Sequence, residues 1–293
     1  MKKYIGELGL TLTAIIWGSG FAASAMALEF YTPYQILAGR FLIGVVLLSV
    51  CFHKSVKSMK KRTMMKGLLL GTILYIAFAL QTVGLQYTTP SKNAFLTAVN
   101  VVIVPFIGFL FYKRKIDLFE LMGAILSIIG IALLSLQLNG EMNIGDLLTL
   151  LCAVAFACHI FYTARFVREE DPIALTLMQM LTAACIGFMV TGLKGEMHFA
   201  MHQEALMPLV YLGIFSTTIA YVLQTAAQKF ITETKAAIIL STEALWGTFF
   251  SVLLLSEVLT WRMTIGAIII FFAIIIAETK LKWKPFQRPL VKP

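Results

Sequence analysis

The chain contains ten apolar stretches, each close to the length that crosses a lipid bilayer as a helix. A bilayer core is about 30 Å thick and needs roughly 20 helical residues. The stretches cover residues 6–28, 33–52, 67–87, 93–112, 118–138, 144–164, 173–193, 206–230, 236–255 and 259–277. Lipid offers backbone groups no hydrogen-bond partner, and the stretches lack the alternating pattern of barrel strands. The sequence therefore predicts an all-α integral membrane protein with ten transmembrane helices.

The overall composition agrees with this prediction. Hydrophobic residues make up 59% of the 293 residues and charged residues only 13%, whereas soluble domains carry about 25% charged residues. All four cysteines lie within the apolar stretches, where they can pack as small apolar groups. Neither a disulfide framework nor a metal-ligand spacing is present, so no cofactor or metal is predicted. The first stretch is too long for a cleaved signal and is expected to remain as a helix.

The net charge of +9 raises the question of nucleic-acid binding, which the positions of the charges answer. If ten helices start from a cytoplasmic N-terminus, 20 of the 24 Lys and Arg residues fall in cytoplasmic segments. This asymmetry follows the positive-inside rule. It predicts a cell-membrane protein with both termini in the cytoplasm. The expected partner is membrane lipid and not nucleic acid.

An internal repeat is visible when the sequence is compared with itself. A shift of 143 residues pairs Gln81-Thr82 with Gln224-Thr225, Thr89 with Thr232 and Lys92 with Lys235, and a shift of 139 pairs Trp17 with Phe156 and Pro33 with Pro172. These matches predict a five-helix repeat at 1–140, a second at 141–279 and a basic cytoplasmic tail at 280–293. Because five is odd, the second repeat must be inverted in the membrane. Inverted repeats are a recurrent architecture of secondary transporters, with the substrate near the bilayer midplane.

Several strings, in this order and spacing, resemble the EamA-type members of the drug/metabolite transporter superfamily over nearly the whole chain. They are WGSGF at Trp17, PYQILAGRF at Pro33, QTVGLQYTTPSKNAFLT at Gln81, VPFIGFLFYKRK at Val104, STEALWGTFFSVLLLSEVLT at Ser241 and IGAIIIFFAIIIAE at Ile265. The resemblance implies ten helices, cytoplasmic termini, and export or uptake of amino acids and other small metabolites. One difference is that the family often has Glu-Pro in the ninth helix, where this chain has Glu243 followed by Ala244, so a proline kink is not expected there.

Arg40 and Glu243 are the two clearest ionisable residues within predicted helices. Such residues cost at least about 2.5 to 3.5 kcal/mol to insert, so each needs a partner or a wet cavity. We expect their backbone depths to differ by only about 5 to 10 Å. The functional hypothesis is that Arg40 holds an anionic group of a substrate and that Glu243 binds a cationic group or takes up a proton. The alternative is that Arg40 pairs with neighbouring groups and fixes helix packing.

Further polar residues occupy matched positions in the two repeats. Asn100 is equivalent to Glu243, Gln179 is equivalent to Arg40, and Gln81 is equivalent to Gln224. The two glutamines are candidates for the gates of an alternating-access cycle, with interhelical hydrogen bonding as the alternative.

Aromatic residues and a histidine complete the candidate substrate-binding or coupling residues. A tyrosine or tryptophan within the membrane needs a partner for its polar atom, and the candidates are Trp17, Tyr75, Tyr162, Tyr221 and Trp246. His159 is a candidate proton carrier because its ordinary pKa is near 6.5, although a structural role is also open. Pro105 is expected to kink the fourth helix.

These features predict a secondary transporter of small metabolites, such as amino acids, that works by alternating access. Export is the favoured direction and the proton is one candidate coupling ion, but the sequence determines neither. The chain shows none of the common metalloprotease, phosphate-loop or nucleophile-elbow motifs, so an enzyme is not expected. A channel or a non-transporting membrane sensor remains the alternative. The sequence leaves the substrate, the coupling ion and the choice between monomer and homodimer open.

Overall fold

The computed structural model describes residues 2–53, 59–113, 115–135, 142–231, 236 and 239–279. The predicted basic tail, 280–293, lies outside the described residues. The described helices are α1 (Lys2–Ala27), α2 (Pro33–Cys51), α3 (Lys61–Leu85), α4a (Pro90–Ala98), α4b (Asn100–Tyr112), α5 (Leu118–Ser135), α6 (Ile144–Phe166), α7 (Pro172–Leu193), α8 (Gln203–Gln228), α9 (Glu243–Leu255) and α10 (Trp261–Thr279).

The described helices have the lengths that a membrane protein needs. Eight spans, counting α4a and α4b as one, are long and apolar enough to cross a bilayer, and two shorter apolar helices cover Ile239–Leu255 and Trp261–Ala277. The predicted all-α fold with ten membrane helices is thereby confirmed. Successive helices cross the membrane in opposite directions, so the helix ends lie at two faces of the bundle. We call the face where α1 begins the amino face, and the other one the opposite face.

Local sequence signals explain where several helices begin. α2, α4a and α7 each start at a proline, whose fixed φ suits the first helical position. The preceding residues, Thr32, Thr89 and Asp171, accept hydrogen bonds from backbone N–H groups of the first turn. These caps satisfy donors that the helix itself leaves unpaired.

The inverted repeat is visible in the helix boundaries. With the shift of 143, α4b at 100–112 falls on α9 at 243–255, the start of α5 at 118 falls on that of α10 at 261, and the end of α3 at 85 falls on that of α8 at 228. With the shift of 139, the start of α2 at 33 falls on that of α7 at 172. Lys113 and Ser256, equivalent residues after α4b and α9, both have left-handed backbone with φ of 54° and 53°. The two halves therefore fold alike in detail.

Equivalent helices α5 and α10 pack against each other as a two-fold axis requires. A Cβ added at Gly123 would lie 2.8 Å from the carbonyl oxygen of Ala273, and one added at Gly266 would lie 2.8 Å from that of Gly130. Gly266 is equivalent to Gly123, and Ala273 to Gly130. The same contact is therefore made twice, once in each direction, through small residues that allow the backbones to approach closely.

The fourth helix of each repeat is interrupted at the same place. Val99 separates α4a from α4b, and its equivalent Thr242 precedes α9. Both carbonyl oxygens accept the N–H groups three and four residues later, at 3.0 and 3.2 Å in each case. The interruption in α4 lies six residues before Pro105, which itself sits inside α4b, so the helix is interrupted before the proline and not at it, where the kink is expected. Proline disturbs the turn that precedes it, and the interruption immediately precedes that turn. In α9 the interruption occurs without the proline that the family often has.

The eighth helix changes its winding in the middle of the membrane. Residues Leu212–Ile219 form a π-helix within α8. Such segments occur often at functional sites because they re-aim side chains and backbone groups. The hydroxyl of Thr218 donates to the carbonyl oxygen of Gly213 five residues earlier, at 2.7 Å. The second repeat thus has an irregularity in the middle of its third helix, whereas its counterpart α3 is continuous.

An ion-pair network lies on the amino face between the start of α3 and the segment that joins α6 to α7. Lys66 Nζ is 2.7 Å from Glu170 Oε1 and 2.8 Å from Glu169 Oε2. The hydroxyl of Thr63 also donates to Glu170. The hydrogen bonds from Lys66 and Thr63 lower the pKa of Glu170 below its ordinary value. This network ties α3 to the end of α6.

Candidate substrate cavity

A cavity of about 610 Å³ lies in the middle of the helix bundle. Its walls come from α1, α2, α3, both segments of α4, α6, α8 and α9. The lining residues are Trp17, Gly20, Phe21, Ser24, Arg40, Phe78, Gln81, Thr82, Leu85, Asn93, Thr97, Asn100, Phe156, His159, Ile160, Ser216, Tyr221, Gln224 and Glu243.

Most of the lining residues form equivalent pairs from the two repeats. Twelve of them make six such pairs, which are Trp17 with Phe156, Gly20 with His159, Phe21 with Ile160, Phe78 with Tyr221, Gln81 with Gln224 and Asn100 with Glu243. Equivalent residues can meet in this way only near the axis that relates the repeats. The cavity therefore lies on the pseudo-two-fold axis, where inverted-repeat transporters bind their substrates.

The unpaired lining residues show the direction in which the cavity extends. Ser24, Leu85 and Asn93 lie within four residues of helix ends at the opposite face. Their equivalents at the amino face, at positions 163, 228 and 236, are not in the lining. The cavity thus extends toward the opposite face.

An apolar cluster fills the corresponding space on the amino-face side. It contains Leu10, Ala227, Ile231 and Leu240, and Trp17 packs against it. This cluster separates the cavity from the amino face.

Arg40 is held in the cavity wall by the π-helical part of α8. The side chain of this residue is 2% exposed. Its Nε donates to Thr217 Oγ1 at 2.7 Å, and its Nη2 donates to Ser216 Oγ at 3.2 Å. The guanidinium carbon lies 4.3 Å from the centre of the Phe78 ring. No described carboxylate forms an ion pair with Arg40. A buried cation with only hydroxyl and aromatic partners retains donors for an anionic ligand.

Two further contacts hold the π-helical segment in this position. The indole N–H of Trp17 donates to the carbonyl oxygen of Ser216 at 3.0 Å. A Cβ added at Gly20 would lie 2.6 Å from Ser216 Oγ, so the glycine leaves room for the hydroxyl that bonds Arg40. Gly20 therefore allows α1 and α8 to pack closely.

Glu243 lines the cavity together with two amide side chains that have unpartnered atoms. It is 7% exposed and begins α9 immediately after the interruption. Its carboxylate has no hydrogen bond or ion pair with a described residue. Asn100, 5% exposed, has an unpartnered Oδ1, and Gln224, 1% exposed, has an unpartnered Nε2 and Oε1 among the residues that the structure describes. Unpaired buried polar atoms are costly, and a polar ligand or water in the cavity would relieve that cost.

Aromatic rings form the centre of the cavity between these polar groups. The centre of the Tyr221 ring lies 5.1 Å from that of Trp17 and 6.2 Å from that of Phe78. The Phe78 ring is also 5.1 Å from Phe156 in an edge-to-face arrangement. These four residues are two equivalent pairs. They provide an apolar surface between Arg40 and the remaining polar residues.

The other predicted polar residues in the lining make specific hydrogen bonds. Gln81 Nε2 donates to Thr97 Oγ1 at 3.1 Å, and the backbone oxygen of Gln81 accepts from Asn93 at 3.2 Å. His159 Nε2 lies 2.8 Å from Gln179 Oε1. Gln81 thus joins α3 to α4a, and Gln179 orients His159 from behind the wall.

Eight of the twelve predicted site residues line the cavity and four do not. Gln179 is buried and contacts His159. Tyr75 is buried in the packing core around α2, α3, α6 and α7. Tyr162 packs with Phe161 and Phe166. Trp246 packs edge-to-face with Phe249, and its Cβ approaches Gly18.

Several lining residues were not singled out from the sequence. Phe156 and Phe78 are the repeat equivalents of Trp17 and Tyr221, so the repeat alignment contained a signal for both. Ser216, and Thr217 behind the cavity wall, had no such signal, because their position near Arg40 depends on the π-helix.

The comparisons with known proteins agree with the fold. The EamA-like transporter family matches residues 4–136 and 143–279. A protein of Archaeoglobus fulgidus named "Uncharacterized transporter" is 31% identical over 286 residues, covering 96% of this chain and 88% of the relative. The "Uncharacterized transporter YvbV" of Bacillus subtilis is 25% identical and covers 96% of this chain and 94% of its own.

A solved structure, titled only "Crystal structure of protein", shares the fold with a TM-score of 0.70 at 17% identity. It covers 93% of this chain and 97% of its own. The two segments that match the family together span almost the whole sequence, and the relatives are named as transporters. The chain therefore belongs to the EamA-like transporter family and is a multi-pass membrane transporter, not an enzyme.

Proposed function

We propose that this transporter exports small zwitterionic metabolites, such as amino acids, across the cell membrane by alternating access. The observation that carries the proposal is the cavity on the pseudo-two-fold axis, which contains one buried cation and one buried carboxylate, neither of them in an ion pair with a described residue. Arg40 binds the carboxylate of the substrate. Glu243 binds its ammonium group.

Glu243 also explains how proton coupling would work. Glu243 cannot hold an ammonium group and a proton at the same carboxylate, so the two compete for it. A carrier that releases substrate when Glu243 is protonated, and releases the proton when substrate binds, exchanges one for the other. Such exchange uses an inward proton gradient to drive substrate out.

The orientation in the membrane follows from the charges. Most of the basic residues belong to the amino face, which the positive-inside rule assigns to the cytoplasm. With this assignment the cavity extends outward, and the apolar cluster beneath Trp17 closes the cytoplasmic side. The structure would then correspond to the outward-facing state of the cycle.

The proposal is tested with purified protein in liposomes and a panel of labelled amino acids and related metabolites. We expect saturable uptake of at least one compound, faster with an imposed pH gradient in the exchange direction. In Glu243→Gln we expect the response to the gradient to disappear. A matched control is Glu204→Gln, since Glu204 lies in the first turn of α8 outside the cavity lining. Proton exchange through Glu243 would be wrong if the variant kept the full response.

A further inference from the structure

A second cavity, which we call the lateral groove, lies between α4a, α9 and α10. Its volume is about 690 Å³, and it shares no lining residue with the central cavity. Most of its walls are apolar. The lining residues are Ser91, Lys92, Phe95, Leu134, Leu245, Thr248, Leu259, Met263, Thr264, Ala267, Ile268, Phe271 and Phe272.

The dimensions of the lateral groove match one leaflet of a membrane. Leu259 lies at the opposite face, just before α10, and Phe272 lies 13 positions further along. At 1.5 Å per residue the groove is about 20 Å long, compared with roughly 15 Å for half of a bilayer core. Leu245, Ile268 and Phe272 are 42%, 49% and 56% exposed on the outside of the bundle. The groove therefore opens sideways toward the lipid and runs to about the middle of the membrane.

The end of the groove at the membrane surface carries one ammonium group, that of Lys92, with the carboxylates of Asp146 and Glu257 close by. Lys92 Nζ has one described partner, Asp146 Oδ2, at 3.3 Å, and its side chain is 22% exposed. An ammonium group has three N–H donors, so Lys92 can also bind a phosphate. Ser91 beside it is occupied, since its N–H and hydroxyl both donate to Glu257.

We propose that the lateral groove binds a glycerophospholipid of the opposite-face leaflet, with one acyl chain in the groove and the phosphate on Lys92. The apolar lateral groove, about as long as one leaflet, matches the acyl chain. The ammonium group of Lys92, at the head-group level, matches the phosphate. Burial of an acyl chain away from water is favourable, but the surrounding lipid is equally apolar, so burial alone does not favour the groove. Shape and the Lys92 contact must therefore provide the selectivity.

The bound lipid would lie directly behind the wall of the central cavity. α4a presents Phe95 to the lateral groove, whereas Asn93 and Thr97 line the central cavity. This short helix ends at the interruption at Val99 and is only nine residues long. A lipid chain packed against Phe95 would thus hold the α4a wall in position.

The test is photo-labelling with phosphatidylglycerol that carries a diazirine on one acyl chain, added to the full-length protein in detergent micelles. We expect the label on Met263, Ala267 or Phe271. Ala267→Phe, which fills the groove, should lower labelling at these sites at least fivefold. Val252→Phe is the matched control, because Val252 is 43% exposed on α9 outside the groove lining, and it should leave labelling unchanged.

A second variant tests the head-group contact. Lys92→Gln should lower groove labelling roughly fivefold, as expected for one basic residue near an anionic lipid. Thermal unfolding of each variant shows whether it remains folded, and Lys92→Gln provides the test if Ala267→Phe does not fold. The proposal would be overturned by label spread evenly over the exposed surface of the bundle. It would equally be overturned by groove labelling that Ala267→Phe and Lys92→Gln, both folded, leave unchanged.

Discussion

Replacing Arg40 with glutamine is the change that should most clearly separate substrate binding from helix packing. The guanidinium donates to Thr217 and Ser216 and lies over Phe78, but has no described carboxylate partner. If it binds the carboxylate of a substrate, the loss equals a hydrogen bond to a charged group, about 1.5 to 3 kcal/mol. This corresponds to a KM raised roughly 10- to 150-fold. Arg40→Lys keeps the charge but loses the planar fork, so its KM should lie between those of Arg40→Gln and wild type.

The assay is concentration-dependent uptake of a transported amino acid into liposomes, with thermal unfolding of the same protein in detergent. Lys194→Gln is the matched control. Lys194 is also cationic, but it lies at the opposite face over the Tyr34 ring, 4.7 Å from its centre, and its loss should leave KM unchanged. The hypothesis about Arg40 would be refuted if Arg40→Gln retained the wild-type KM. A lower unfolding temperature with unchanged KM would indicate the packing role.

Two other predictions concern stability. Gly266→Ala should destabilise the protein by about 1 to 3 kcal/mol, because its Cβ would lie 2.8 Å from the oxygen of Gly130. Gly192→Ala, whose nearest neighbour would be 4.0 Å away, should not lower the unfolding temperature, and equal losses would refute the packing argument. The lowered pKa of Glu170 means that its ionised form stabilises the fold. This contribution is present above its ordinary value of 4.5 and is lost as the pH falls through the lowered pKa. The unfolding temperature should therefore drop in acid, and Glu170→Gln should drop less. An identical acid profile in the variant would contradict the role of the Lys66 contact.

The architecture could be predicted from the sequence because membrane insertion imposes simple rules. Length and hydropathy located every helix in the described residues. The repeat alignment placed Asn100 and Glu243 at equivalent positions and matched depths, and both line the cavity. Equivalent residues near a two-fold axis are brought together by symmetry, so an alignment alone identifies them. The predicted boundaries of the two repeats and the tail, and the cytoplasmic position of the termini, remain predictions.

Other parts of the site depend on geometry that a sequence pattern does not show. The hydroxyls of Ser216 and Thr217 reach Arg40 because α8 is π-helical there, and no residue type specifies that winding. Tyr75 and Trp246 are of the residue type expected in a cavity wall, but their positions on their helices direct them into packing contacts. Periodicity does not distinguish the inner face of a bundle from a buried helix interface, since both are apolar with occasional polar groups.

The most direct test of a carrier with its site on the two-fold axis is countertransport in liposomes. We expect uptake of a labelled amino acid to saturate, and to accelerate when the liposomes are preloaded with the same unlabelled compound. Arg40→Gln should lose this acceleration at substrate concentrations near the wild-type KM. Flux that neither saturates nor responds to preloading would contradict alternating access and indicate a channel. Absence of flux for a broad panel, with no compound raising the unfolding temperature, would contradict substrate binding in the cavity.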